Sequence, residues 1–303
     1  MTGIDLIAAT SDNTVVSEYT PLKRRSDAYQ SEADLEKEFI QMLCEQGYEY
    51  LPVPKEAELE SNLRFQLEKL NDITFSDNEW KRFFKENLAN PNEHIVEKTR
   101  KIQEDYVQVL KRDDGSSKNI KLIDKDHIHH NILQVINQYE VSKVEGARHN
   151  NRYDVTVLVN GLPMVHIELK RRGVAIREAF NQIDRYQRDS FWAGNGLFEY
   201  IQIFVISNGT ETKYYSNTTR FNAEKEHERA GGSRKKTSNS FEFTSYWSDA
   251  NNRIIPDLVD FTRTFFARHT LLNVLTKYCI FTAEDMLMVM RPYQITATER
   301  ILN

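Results

Sequence analysis

The stretch Asn151-Arg-Tyr-Asp-Val-Thr-Val-Leu-Val-Asn-Gly-Leu-Pro-Met-Val-His-Ile-Glu-Leu-Lys170 decides how the rest of the chain is read. It carries β-branched and apolar residues (Val155, Val157, Leu158, Val159), turns at Asn160-Gly161, and resumes with Val165 and Ile167. This is the pattern of a buried β-hairpin, because Asn-Gly supplies the positive φ angles of a tight turn. Beyond Arg152 at its start, three charged residues interrupt it: Asp154 on the first strand, Glu168 and Lys170 on the second. Residues i and i+2 of a strand project to one side, so Glu168 and Lys170 share a face. Carboxylates and an ammonium in a buried hairpin are costly unless a metal or a partner compensates them. Two carboxylates offer hard oxygen ligands for Mg²⁺, and a lysine can hold an attacking water and offset charge developing on a phosphate. The pattern points to metal-dependent phosphodiester hydrolysis, with Asp154 and Glu168 as ligands and Lys170 beside them.

Whether the two acids meet depends on register. With a strict two-residue turn at Asn160-Gly161, Glu168 faces Tyr153 and Asp154 falls on the other side of the sheet. A three-residue loop, or one β-bulge between Tyr153 and Glu168, returns Asp154 to the face of Glu168. Pro163, which has no N–H to donate, marks a place where an irregular ladder fits.

The same residues, Asn151 to Lys170, closely resemble the nuclease core of type I restriction enzyme R subunits, members of the PD-(D/E)XK superfamily. Gln182 and Tyr186 lie four apart on one helical face and match the family's Q-x-x-x-Y motif, a pair near the active site that is linked to DNA contact. The resemblance covers essentially the whole chain, most specifically Asn151 to Tyr186 and Ile203 to Thr210. It implies an α/β fold of the restriction-endonuclease-like kind, a mixed central sheet flanked by helices. It implies Mg²⁺ held by Asp154, Glu168 and the backbone carbonyl of Leu169, with Lys170 positioning or helping to deprotonate water for in-line attack on phosphorus. The family also brings an acid from its first core helix near the metal; Glu36 and Glu32 both qualify, and Glu36 is carried in the expected ligand set. Lys170, Arg171, Arg172, Arg177, Arg185 and Arg188 make a local basic run, of which Arg171 and Arg172 are expected to meet double-stranded DNA through its phosphates.

In the intact family enzyme, methylase and specificity subunits recognise the site, with S-adenosylmethionine entering through the methylase, and ATP drives translocation before the cut. The chain contains no G-x-x-x-x-G-K-[ST] loop, so that motor is not in it. Arg291-Pro-Tyr-Gln294 resembles the segment that precedes the motor's ATP-binding loop, which makes Gln294 a nucleotide contact of the full-length subunit. A Pro in a helical first turn is also an ordinary helix start. The expected division is a 1–30 extension, a 31–260 endonuclease domain and a 261–303 helical linker to an absent motor, the chain being the N-terminal portion of a longer subunit. The rival reading is a non-catalytic module that holds DNA or docks the subunit; an intact Asp-Glu-Lys set argues against it. A repair or recombination nuclease is a third, and Arg291-Pro-Tyr-Gln294 argues against that.

Composition sets wider bounds. With 303 residues and 40% hydrophobic ones the chain can bury a substantial core. No apolar run approaches the roughly 20 residues that a membrane helix needs, and the N-terminus lacks a signal-peptide layout. Two cysteines, Cys44 and Cys279, read as reduced thiols, which places the chain in the cytoplasm. The net charge of −5 argues against a surface that grips nucleic acid everywhere, leaving a local basic patch. His127, His129 and His130 lack companion cysteines at zinc-site spacing, so no metal role is expected of them.

Ser31 reads as the N-cap of a helix with Leu35, Phe39 and Leu43 as its stripe, stopping at Gly47. Further helices are expected over 57–70, 78–88, 95–102 and 174–188, and a helical stretch over 256–278 broken near His269. Strands are expected over 14–19, 48–53, 106–110, 118–123, 132–141 and 201–206, with others at Tyr214-Tyr215 and 241–247. Residues 219–240, polar with Gly231-Gly232, read as a loop.

Overall fold

The computed structural model describes residues 13–21, 30–52, 55–141, 151–218 and 239–302. Helix α1 (Glu32–Glu45) begins where the Ser31 hydroxyl accepts the Asp34 N–H at 3.1 Å, and buries Leu35, Phe39 and Leu43. Spaced four apart, these form one stripe. The strand β1 (Glu49–Tyr50) and the helices α2 (Glu56–Asn71), α3 (Asp77–Phe83) and α4 (Ile95–Gln103) follow. The helix expected to reach Leu88 is α3 plus one wider π turn, Phe84–Leu88. A separate antiparallel ribbon is made by β2 (Val107–Lys111) and β3 (Ser117–Lys121).

The central sheet has six strands in the order β1-β4-β5-β6-β7-β8, where β4 is Leu133–Glu140, β5 Arg152–Val159, β6 Leu162–Leu169, β7 Ile203–Ser207 and β8 Thr212–Ser216. It is mixed: β1 runs parallel to β4 and β6 parallel to β7, while the other neighbours are antiparallel. The parallel β6 and β7 are joined through α5 (Ile176–Asp189), as a parallel pair requires a crossover. This helix packs on both strands it connects, and α1 packs on β6. Every residue of β6 is buried, as expected of a central strand covered on both faces.

The β5–β6 hairpin settles the register question. Asn160 (φ +51) and Gly161 (φ +84) form a two-residue turn, and near it Val159 pairs with Leu162 and Leu158 with Pro163. Beyond the turn the register shifts, so that Val157 pairs with Val165, Thr156 with His166 and Val155 with Ile167. Met164 is the extra residue of a β-bulge beside Pro163. Continued one step, this register sets Asp154 against Glu168. Gly161 is required twice over: its φ is left-handed, and a Cβ there would lie 2.6 Å from the Leu63 Cα. Asn160 anchors the turn, its side-chain oxygen accepting the Ile132 N–H at 2.9 Å and its amide donating to Asn131 Oδ1 at 2.7 Å.

One hydrophobic core runs from Val15 to Ile295. The C-terminal part supplies α6 (Leu258–Thr264), α7 (Arg268–Lys277), the ribbon of β9 (Cys279–Phe281) and β10 (Leu287–Val289), and α8 (Pro292–Leu302). The expected break in the 256–278 stretch falls between Thr264 and Arg268. Two expected strands do not form. Residues 14–19 run irregularly, with the Tyr19 N–H taken by the Asp249 carboxylate at 2.9 Å instead of by a neighbouring strand. Within 241–247, a 3₁₀ turn (Asn239–Phe243) leads to a single bridge between Ser245 and Tyr214 on the outer edge of β8. The expected loop is described only at its ends, 219–238 lying outside the described residues. Among the described residues no helix is long and apolar enough to cross a membrane.

Candidate active site

Asp154, Glu168 and Lys170 come together where β5 begins and β6 ends. The Leu169 N–H donates to Asp154 Oδ2 at 3.0 Å, tying the two strands through the acid itself. Lys170 Nζ lies 3.1 Å from Glu168 Oε1 and 3.1 Å from the Leu169 carbonyl oxygen. Glu168 is fully buried, and among the described residues its Oε2 meets no donor in hydrogen-bond geometry. Burial first, and then the charge of Glu168, raises the Asp154 pKa to about 7. Burial raises that of Glu168 to about 7 against the opposing pull of Lys170. For Lys170, burial acts downward, but the two carboxylates outweigh it and the ammonium is held above its ordinary range. Two desolvated acids with an orphaned oxygen, next to a backbone carbonyl, make an all-oxygen donor set of the kind a hard divalent cation takes. Asp154, Glu168 and the Leu169 carbonyl fit such an ion.

Glu36 of α1 reaches this place as well. It accepts from Asn137 Nδ2 at 2.6 Å and from the Gln138 side-chain amide. Burial raises its pKa, and the charge of Asp154 adds to the rise. Glu32 instead accepts the Arg171 N–H at 3.3 Å. Gln138 is a non-glycine residue with φ +52 inside β4, at the position that the β4–β5 register sets against Asp154. Such left-handed residues cost of order 1–3 kcal/mol and cluster at functional sites.

His166, which sequence reasoning passed over, is fully buried and lies between Thr156 and Glu168. Its Nδ1 is 3.1 Å from Thr156 Oγ1, and its Nε2 is 3.5 Å from Glu168 Oε2. Burial pushes its pKa down to about 4, so the ring is neutral at pH 7. A tautomer with the proton on Nε2 lets Nδ1 accept from the threonine and leaves Nε2, also without a hydrogen-bond partner among the described residues, 3.5 Å from the carboxylate oxygen. The signal in the sequence was parity: 166, 168 and 170 alternate along one strand.

Tyr186 is 1% exposed. Its hydroxyl donates to the Arg152 carbonyl at 2.7 Å and accepts from Gln182 Nε2 at 2.6 Å. The tyrosine braces the start of β5, two residues before Asp154, and Gln182 is the half-buried member of the pair. Of the basic run, Arg171 is exposed and Arg172 half-buried. Arg185 stacks over the Tyr186 ring at 5.4 Å and Arg177 over Phe241 at 4.8 Å; the Arg188 side chain lies outside the described residues. Gln294 Oε1 accepts the Arg291 N–H at 2.8 Å at the start of α8.

The sequence model of the family described as type I restriction enzyme R protein N terminus matches residues 29–223. The chain is 50% identical over 297 residues to the type I restriction enzyme EcoprrI endonuclease subunit of Escherichia coli, covering 98% of this chain and 89% of that one. It is 38% identical over 281 residues to the SsaAORF53P endonuclease subunit of Staphylococcus saprophyticus, and 37% identical over 281 residues to the SauMSSORF170P endonuclease subunit of Staphylococcus aureus. Those alignments cover 91% of this chain but 27% of the staphylococcal proteins. The chain belongs to the type I restriction enzyme R protein N-terminal family.

Proposed function

We propose that the chain is the Mg²⁺-dependent DNA endonuclease portion of a type I restriction enzyme R protein, built on the PD-(D/E)XK fold, with Asp154, Glu168 and Lys170 as its catalytic residues. The observation that carries this reading is the bulge at Met164, an irregularity whose effect is to bring two buried acids and a lysine together. The relatives, named endonuclease subunits, agree with it. Bound by Asp154, Glu168 and the Leu169 carbonyl, with Glu36 as a further oxygen donor, Mg²⁺ would supply Lewis-acid stabilisation of the phosphoryl oxygens. The remaining tasks fall to side chains. Lys170 has three N–H donors, two of them directed at Glu168 and the Leu169 carbonyl; the third can hold a water against the phosphate. The ammonium orients that water or helps to deprotonate it, and offsets the charge developing on the phosphate. The Leu169 N–H and Tyr186 fix Asp154 from either side, one through its carboxylate and one through the backbone of Arg152. Exposed Arg171, with Arg172 and Gln182, meets DNA phosphates.

In the assembled enzyme, recognition belongs to methylase and specificity subunits with S-adenosylmethionine, and translocation to an ATP-driven motor that residues 261–303 connect to residues 31–260. Asp154→Ala or Glu168→Ala in the assembled enzyme should abolish cleavage while ATP hydrolysis and translocation continue. Normal cutting by either variant would refute the assignment.

A further inference from the structure

The histidines at 127–130 lack cysteine companions, but the fold gives two of them a carboxylate. Asp124 Oδ2 lies 3.3 Å from His130 Nδ1 and 4.0 Å from His127 Nδ1, and the three ligand atoms all fall within 4.8 Å of one another. We propose that Asp124, His127 and His130 form a binding site for a divalent transition-metal cation of the zinc class, separate from the acids at Asp154 and Glu168.

The carboxylate is fixed before any ion arrives. The Asp124 side chain is 7% exposed, and its Oδ1 accepts the N–H groups of Asp126 and His127, both at 3.1 Å. This leaves Oδ2 turned towards the imidazoles. The backbone beneath is locked by Asn131, whose Oδ1 accepts the Asp124 N–H and whose amide donates to the Asp124 carbonyl, both at 2.8 Å. Asn131 is in turn held by Asn160 of the hairpin turn. An anchored, hydrogen-bonded carboxylate of this kind is what orients a metal ligand in known sites. The imidazoles are the adjustable half. His127 and His130 are 69% and 65% exposed, their rings stack with centroids 5.1 Å apart, and each needs only a small rotation to close on the ion. Bonds of 2.0–2.2 Å at tetrahedral angles place ligand atoms roughly 3.3–3.6 Å apart. The Asp124–His130 pair already meets that spacing. Lys121 opposes a cation here, but its Nζ sits 3.4 Å from the other oxygen, Oδ1.

Two imidazoles and one carboxylate select zinc-class ions over Mg²⁺, which prefers oxygen ligands alone. Exposure leaves further positions to water. The site lies at the turn end of the hairpin, about six strand residues or roughly 20 Å from Asp154, so the two centres bind independently.

The test titrates chelator-stripped chain with Zn²⁺ by calorimetry in excess Mg²⁺, and with Co²⁺ by visible absorption, which reports nitrogen ligation. One saturable Zn²⁺ per chain is expected, retained in Glu168→Gln. Affinity should fall at least about 100-fold, beyond the loss of an outer-shell partner, in the double variant His127→Ala/His130→Ala and in Asp124→Asn, which keeps an acceptor for the two backbone N–H groups. Both histidines are exposed, so the double variant should melt like the wild type without metal. Absence of saturable binding, unchanged affinity in the double variant, or loss of the site in Glu168→Gln would each overturn the proposal.

Discussion

Lys170 separates chemistry from adhesion. In the proposed mechanism its ammonium sits where charge develops, so Lys170→Ala should lower the single-turnover cleavage rate at saturating DNA by about 10² or more, the scale of losing one electrostatic stabiliser. Arg171→Ala, on an exposed side chain, should weaken DNA binding and reduce the slope of log affinity against log salt by about 1, with a residual cutting rate. A Lys170→Ala variant that cuts at the wild-type rate removes the lysine from the mechanism. Glu168 carries a second, thermodynamic consequence. Its folded pKa, about 7, lies above the ordinary 4.5 because burial disfavours the charged form. The folded chain therefore binds this proton more tightly than the unfolded one, and the associated stability, full below pH 4.5, is lost as pH rises through about 7. Metal-free Glu168→Gln should gain on wild type between about pH 4 and pH 8, on the order of 3 kcal/mol. Parallel pH dependence of denaturant midpoints in the two proteins would contradict this. At this scale the sequence disclosed the charged groups, because acids in an apolar run are conspicuous. It concealed His166, since a histidine in a strand declares neither its burial nor its partner.

Among the elements, the hairpin was legible as two strands and a turn, and its arithmetic required an irregularity without saying which kind. Only the packing against α2 shows why the turn needs glycine for space as well as for its φ: Gly161 lies on the Leu63 backbone, with no room for a Cβ. Gly161→Ala should therefore cost on the order of 2–3 kcal/mol, combining a left-handed φ with a backbone clash, and a Tm within a degree of wild type would show that the turn relaxes freely. Residues 241–247 were expected as a strand, yet Phe243 is exposed and only Ser245 finds a ladder partner. A local run of residues carries no information about whether an edge is free to accept another strand. The amide clamp of Asn137 and Gln138 on Glu36 was likewise hidden, because it joins a helix and a strand a hundred residues apart.

Across the whole molecule, residues 13–21 pack over the C-terminal half. Val15 and Tyr19 are buried, the Tyr19 hydroxyl donates to Asp260 at 2.6 Å, and the Thr14 carbonyl accepts from Thr270 at 2.9 Å. Contacts this long in sequence left no periodic trace to read. Tyr19→Phe removes a hydrogen bond to a buried carboxylate, so it should destabilise the fold by about 1–3 kcal/mol and lower the Tm by several degrees. An unchanged melting curve would mean that the segment lies on the core without supporting it. Activity at a temperature well below the transition should be retained, since the segment does not touch the proposed centre.

The bulge at Met164 makes the hairpin behave as a parity code. Within the arm between Val155 and Ile167, removing or adding one residue exchanges the two faces of everything beyond it, while a second change of opposite sign restores them. Genetic reversion should show this: strains inactivated by a single-codon deletion here should regain restriction through compensating single-codon insertions at scattered positions in the same arm, more often than through substitutions. The chemistry of the centre would then be inherited as a count of residues as much as a choice of them.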